Sequence, residues 1–332
     1  MDNMTVSVLL PTRNAEWSLP YALKFISDQS LQPNEILICV GKSNDKTEEI
    51  VLNFQKESKT PVSVYYDMNG LGTGYAMNLL LSKATGDIIL WADSDSVRSH
   101  WWVEANVRYF KENPQLDYLC SHQYETDSKL ISKKFEDNGH KYSTITYDNN
   151  HLGNPSGVVA FKREVVLKVG GFDQFFTRGQ DRDLVIRLIK SGAVGGVEND
   201  LQGYHFGVQG KRNLWKAFKT PTFFKFIYKY GWRYCLIDIH HFCGVLLRSV
   251  FLFSTVFLII SLLFGLPTLF PSLGVLLSII ALVFGITWSH STFNFNLFIL
   301  QVLGSIGEYY QLWVIFKTKD RPKIGYGKKW VS

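Results

Sequence analysis

The run IILWADSDS, residues 88–96, decides how the first part of the chain is read. Three bulky aliphatic residues and Trp91 lead straight into Asp93 and Asp95, with only Ala92 and Ser94 as spacers. An unbroken apolar run closed by polar residues reads as a strand buried on both faces. If the backbone stays extended, both carboxylates point to the same side. Like charges in that register resist ionising together, so the pair calls for something that compensates it.

The same grammar occurs three times upstream. Val6–Leu10 is a β-rich run closed by Pro11, Ile36–Val40 is a second and Val62–Tyr66 a third, with Asp87–Trp91 as the fourth. Between them, Ser18–Gln29 has helical spacing that puts Leu19, Ala22, Leu23 and Ile26 on one face, and Lys46–Lys56 and Gly74–Lys83 complete the alternation. This rhythm predicts an α/β fold with a mostly parallel sheet and right-handed crossovers. Ligands of such sheets bind beyond the carboxyl ends of the strands. There the sequence places PTRN (11–14), VGKSNDKT (40–47), DMNGLGTG (67–74) and ADSD (92–95), all polar or glycine-rich.

The 332 residues are 46% hydrophobic, but unevenly so: from Val245 onward Leu, Ile, Phe and Val dominate. The net charge of +6 gathers on both sides of that region, at Lys211–Arg233 and at Lys317–Lys329. That pattern indicates a membrane and not a nucleic acid. Leu246–Leu266 has about the twenty-residue length that spans a bilayer. PTLFPS (267–272) then turns the chain into Leu273–Trp288, and Phe293–Phe316 follows with Gln301, Ser305, Glu308 and Gln311 along one stripe. The expectation is two crossings joined by the proline turn, a third helix at the interface and a cytoplasmic basic tail, with three spans as the alternative. The aromatic and basic stretch 214–234 reads as a collar at the membrane surface. The expected organisation is a catalytic domain at 1–205, an interface segment at 206–245, and membrane helices with the tail at 246–332. Cys39, Cys120, Cys235 and Cys243 form no CxxC and read as reduced, which places the catalytic domain in the cytoplasm. The opening TVSVLL reads as a strand, so no cleavable signal peptide is expected.

Two acidic clusters carry the chemistry. The acids of DSD could cap the helix that begins in HWWVEANVRYF, or hold a hard divalent cation bound to a diphosphate. In TRGQDRDLVIRLIKSGA (177–193), Asp181 and Asp183 fall in the first turn of an amphipathic helix. The helix dipole favours acids there, and a general base in a cleft would also sit there; spacing leaves both open.

Taken together, VSVLLPTRN (6–14), NEILICVGKSNDKT (34–47), GTGYAMN (72–78), ATGDIILWADSDS (84–96), GVVAFKREVVLKVGGFD (157–173) and GQDRDLVIRLIKSG (179–192) resemble the family-2 glycosyltransferases of GT-A fold, over roughly residues 4–205. The resemblance implies a nucleotide-sugar donor, a magnesium or manganese ion, and inverting single displacement. It implies that Asp95 holds the metal, that Asp93 serves the ribose or the metal shell, and that His205 in GYHFG is a third ligand. Pro11, Thr12, Arg13, Asn14, Gly72 and Ser94 would contact the donor. Asp181 matches the family's base, and Gly157, Gly171, Phe172, Asp173, Gln180 and Trp215 would lie on the acceptor side. Gln209, Arg212 and Trp215 are similar to the QxxRW element of processive synthases, but two residues too widely spaced.

Three positions depart from the family pattern. Val40 and Gly41 stand where relatives carry base-binding aspartates, Met77 replaces the usual arginine, and Gln180 replaces a glutamate. The expected function is a membrane-anchored glycosyltransferase that acts on a lipid-linked glycan or other membrane acceptor, with the bilayer as partner and no nucleic acid. The alternatives are a polyprenyl-phosphate sugar synthase and a silent nucleotide-binding scaffold.

Overall fold

The computed structural model describes residues 4–126, 145–147, 158–176, 179–206, 223–230, 239–265, 267, 272–276, 309–310 and 313. The chain divides into two compact units, Met1–Gln209 with Lys323–Ser332, and Gly210–Pro322.

In the first unit, β1 (Val6–Thr12), α1 (Leu19–Ser27), β2 (Glu35–Gly41), α2 (Thr47–Glu57), β3 (Val62–Asp67), α3 (Thr73–Lys83) and β4 (Ile88–Trp91) follow the expected alternation. They form a parallel half-sheet in the order β3-β2-β1-β4. Val6, Val8, Leu10, Ile36, Ile38, Val40, Ile88 and Leu90 pack as one core with Leu19, Leu23 and Ile26 of α1. Trp102 and Phe110 of α4 (Trp102–Glu112) join the same core. The alternate residues Leu9, Leu37 and Ile89 are equally buried, and α3 contributes Met77, Leu80 and Leu81. Burial on both faces is why these strands read as continuous apolar runs. Each such aliphatic side chain contributes about 1.5–3 kcal/mol.

Pro11 does not close β1, which runs on to Thr12 with Pro11 opposite Cys39. Its last rung with β4 is Leu9↔Trp91, and the Ala92 N–H donates to the Leu9 carbonyl at 2.9 Å. Two residues later, Pro11 would direct an N–H to that same side, where β4 has already left. No ladder bond is lost there, so proline is tolerated in a central strand.

Past β4 the alternation stops. β5 (Ser96–Arg98), β6 (Tyr118–Thr126), β7 (Ile145–Tyr147), β8 (Val158–Lys162) and β9 (Gly195–Phe206) extend the sheet as β4-β8-β6-β9-β5, and β7 also pairs with β9. All these pairings are antiparallel except β6 with β9. Two helices accompany them, α5 (Arg163–Lys168) and α6 (Gln180–Lys190).

The second unit contains α7 (Phe223–Tyr230) and α8 (Ile239–Leu263). The latter starts earlier than the expected Leu246. It stops at Gly265 (φ 58°), whose N–H donates to the Leu262 carbonyl at 3.3 Å. Val245–Leu263 is long and apolar enough to cross a bilayer. Residues 272–276 are helical, and Gly274 lies so close to α8 that an added Cβ would meet the Leu258 Cβ at 3.0 Å. The Tyr309 hydroxyl donates to the Ser249 Oγ at 3.0 Å. Most of the two further apolar stretches, Leu273–Trp288 and Phe293–Phe316, lies outside the described residues.

Candidate active site

Strand order 3-2-1-4 reverses direction between β1 and β4, and an open α/β sheet binds its ligand at such a switch point. Beyond the Leu9–Trp91 rung the two strands part. β1 leaves as Thr12–Arg13–Asn14, and β4 leaves as Asp93–Ser94–Asp95.

The DSD backbone is not extended. The Ser96 N–H donates to the Asp93 carbonyl at 3.3 Å, so the two acids flank a tight turn. The capping reading also fails, because β5 intervenes and α4 begins after Trp101 with no side-chain cap. The compensating charge is Arg98. Its side chain is 4% exposed, and its guanidinium lies 3.9 Å from the Asp93 carboxylate and over the Trp102 ring. Sequence reasoning missed it, and SVRSHWW, with two serines and a histidine around the arginine, carries no local sign of its burial. Ser94 and Asp95 are half-buried.

His205 enters through register. In the β5–β9 ladder it stands opposite Ser96, next to Asp95 in sequence, although the placement of its imidazole is outside the description. Among the described residues no three His, Cys, Asp or Glu side chains gather as a metal cluster. The donor chemistry nevertheless fits a hard divalent cation: two carboxylates on one accessible turn, with a histidine beside them in register.

On the β1 side, Asn14 takes a positive φ of 48°. Its N–H donates to the Ser43 Oγ at 3.0 Å, and its Oδ1 accepts the Asn44 N–H at 2.9 Å. The Arg13 Nε donates to the Lys42 carbonyl at 3.1 Å, which lays its stem across Gly41. A Cβ at Gly41 would meet the Arg13 Cβ at 3.2 Å, so a side chain at this position requires the Arg13 stem to shift by a few tenths of an ångström. Val40 belongs to the core. The Thr12 hydroxyl is buried without a hydrogen-bond partner among the described residues, and Pro11 is half-buried.

The loop after β3 is shaped by Asp67, whose carboxylate accepts the Leu71 N–H at 3.0 Å and the Gly72 N–H at 2.9 Å. Gly72 (φ 96°) precedes α3 and is exposed. Met77 is completely buried, so position 77 serves the core and not a diphosphate. The buried Asn78 clamps the Gly171–Asp173 loop onto α3. Its Nδ2 donates to the Phe172 carbonyl at 2.8 Å, and its Oδ1 accepts the Phe172 N–H at 2.8 Å. The Phe172 ring is 2% exposed and stacks edge-on against Trp91. It therefore supports the loop from beneath and does not line an acceptor face. Gly171 adopts φ 59°, and the Asp173 carboxylate accepts the Phe175 N–H at 2.9 Å.

Asp183 and Asp181 separate in role. Asp183 is fully buried and paired with Arg187 at 2.8 Å, and the Arg187 Nη1 donates to the Val169 carbonyl at 2.9 Å. Asp181, in the same helical turn, is half-exposed and makes no ion pair among the described residues. Burial, with the Asp181 charge as second cause, pushes the Cys120 thiol up to about 12. Gln180 carries a buried Oε1 without a hydrogen-bond partner among the described residues. Gly157 and Trp215 lie outside the described residues.

A turn with two acids, an anchored polar loop opposite it and an accessible carboxylate on a third element suit displacement at an activated, phosphate-bearing substrate. Residues 7–170 match the sequence profile described as Glycosyl transferase family 2. They form a family-2 glycosyltransferase domain. An uncharacterised glycosyltransferase of Methanocaldococcus jannaschii is 30% identical over 195 residues, covering 57% of this chain and 66% of its own length. A UDP-Glc:alpha-D-GlcNAc-diphosphoundecaprenol beta-1,3-glucosyltransferase of Escherichia coli is 30% identical over 97 residues, 29% of this chain and 37% of its own. The first relatives are thus matched over less than two thirds of their own length. Among solved structures, S. aureus TarS 1-349 in complex with UDP-GlcNAc superposes with a TM-score of 0.51 at 18% identity, covering 63% of this chain and 60% of that one. That likeness concerns the fold, which is the GT-A arrangement of a mostly parallel mixed sheet between helices.

Proposed function

We propose that the chain is a membrane-anchored, inverting glycosyltransferase that moves a sugar from a nucleotide-sugar donor to a hydroxyl of a lipid-linked glycan. The observation that carries this reading is that the DSD turn and the PTRN loop leave the neighbouring strands β4 and β1 at the switch point of a family-2 domain. Further support comes from the E. coli relative, named for a diphosphoundecaprenol-linked acceptor, and from the apolar Val245–Leu263.

In this reading Pro11, Thr12, Arg13, Asn14 and Gly72 bind the nucleotide. Asp93, Asp95 and His205 hold magnesium or manganese, which when bound offsets the charge of the departing diphosphate. Asp181 accepts the proton of the acceptor hydroxyl as that oxygen attacks the anomeric carbon. The new C–O bond forms on the face opposite the breaking C–O–P bond, so the configuration inverts. Gly171 and Asp173, steadied by Asn78, shape the acceptor side. The catalytic domain faces the cytoplasm, where nucleotide sugars are made.

Asp181→Asn keeps the shape and removes the base, so transfer should fall about a hundred- to ten-thousandfold. Donor binding, read as a manganese-dependent thermal shift over a panel of nucleotide sugars, should stay. Undiminished transfer by Asp181→Asn refutes the base assignment, and donor binding independent of manganese refutes the metal role.

A further inference from the structure

We propose that Arg98 sets the donor site to take a cation together with a diphosphate and to hold the bare cation weakly. The proposal rests on the donor-site reading above.

Arg98 ends β5, in the turn-and-strand unit that starts with the two acids. Its side chain is 4% exposed, 3.9 Å from the Asp93 carboxylate, with its guanidinium 5.6 Å from the centre of the Trp102 ring. A guanidinium keeps its charge even when buried, and stacking on an indole favours that position. The backbone beneath it is fixed as well, because Arg98 pairs with Gly203 and Val97 with Tyr204 in the ladder that also carries His205. Arg98 is therefore a permanent charge of the turn.

With Asp93 and Asp95, the turn carries minus one and not minus two. A divalent ion entering alone meets weakened attraction. An ion that arrives with a nucleoside diphosphate brings negative charge of its own, which the guanidinium attracts. Arg98 thereby weakens binding of the bare cation and strengthens binding of the diphosphate, so that the cation is held chiefly with its diphosphate. It also biases the Asp93 carboxylate electrostatically before either arrives, as a positioning residue that need not touch the sugar.

The test uses the full chain in detergent and calorimetric titration with manganese alone, then with nucleoside diphosphates in its absence and presence. Arg98→Met should bind bare manganese about three- to tenfold more tightly. Nucleoside diphosphate without manganese should bind about three- to tenfold more weakly, for the same reason with the opposite sign. Arg98→Lys, which restores the charge, should return both quantities towards wild type; a purely structural arginine gives no such rescue pattern. If the methionine variant does not fold, Arg98→Gln carries the same measurement. Wild-type chain without manganese-dependent nucleotide binding overturns the donor-site reading and this proposal together. Such binding in the wild type, with unchanged bare-manganese affinity in the neutral variant, overturns the role of Arg98 alone.

Discussion

Two aspartates in one helical turn have opposite dependencies. Asp183 is fully buried against Arg187, whose guanidinium also ties the helix to the Val169 carbonyl. Removing one partner of such a pair strands the other charge, at a cost of about 3–5 kcal/mol. Asp183→Asn should therefore lower the denaturation midpoint strongly, whereas Asp181→Asn should change stability by less than about 0.5 kcal/mol, its proposed effect being on transfer. Chemical denaturation of the two variants side by side checks the contrast. The buried thiols predict an alkaline limit. Burial, with Asp67 as second cause, pushes Cys39 up to about 12, and Cys120 is raised to about 12 as well. Between the ordinary thiol value of 9.0 and about 12 the folded chain retains protons that the unfolded chain releases. The contribution of the two thiols is thus fully present below pH 9 and is lost as pH rises from there. Calorimetry at pH 8 and pH 10.5 should show a lower midpoint at the higher pH, and Cys39→Ala should flatten the dependence.

The parallel half-sheet was legible in the sequence because β1, β2 and β4 are buried on both faces, which leaves unbroken apolar runs. The DSD turn could be placed at the edge for the same reason, but not its backbone shape. β5 is three residues long, and its pairing with β9 is set by residues a hundred positions away, so Arg98 gave no local sign of being buried. Asn78 was silent for the same reason, since its partner Phe172 is remote in sequence. At the opposite edge of the sheet the acids have structural roles. Burial pushes Glu35 up, but hydrogen bonds from the Ser7 hydroxyl, the Thr85 amide and hydroxyl, and the Gly86 amide together hold it below the usual range. A carboxylate lowered on folding stabilises above its unfolded value and loses that contribution as pH falls through its folded value. Glu35→Gln should therefore reduce stability at pH 7 by about 1–3 kcal/mol, and the difference from wild type should vanish in acid. The β6–β9 junction gives a steric counterpart. A Cβ at Gly195 would fall 2.3 Å from the Tyr118 ring, so Gly195→Ala should destabilise by about 1–3 kcal/mol, and Tyr118→Ala should relieve the clash.

Across the whole chain, the two units call on different solvents. The first is an α/β domain whose strands and helices bury their aliphatic residues in a common core. In the second, α8 presents Phe253, Ile259, Leu262 and Leu263 outward, with Leu262 64% and Leu263 77% exposed. A run of exposed aliphatics on one long helix is unfavourable in water and favourable in lipid. The bilayer reading is therefore testable without knowing donor or acceptor. Val256→Arg with Ile259→Arg alters only exposed positions in the inner part of Val245–Leu263, so no charge is forced into the unit's own packing. Each arginine near mid-bilayer costs about 3 kcal/mol, enough together to reverse a partition that one amphiphilic segment sustains. Wild-type chain should float with vesicles of phosphatidylethanolamine and phosphatidylglycerol in a density gradient, and the double variant should remain at the bottom. The manganese-dependent thermal shift with nucleotide should be equal in both, because every residue proposed for the donor site belongs to the first unit. Flotation unaffected by the two arginines would mean that another part of the chain holds the membrane, and wild-type chain that stays soluble without lipid would end the anchoring proposal.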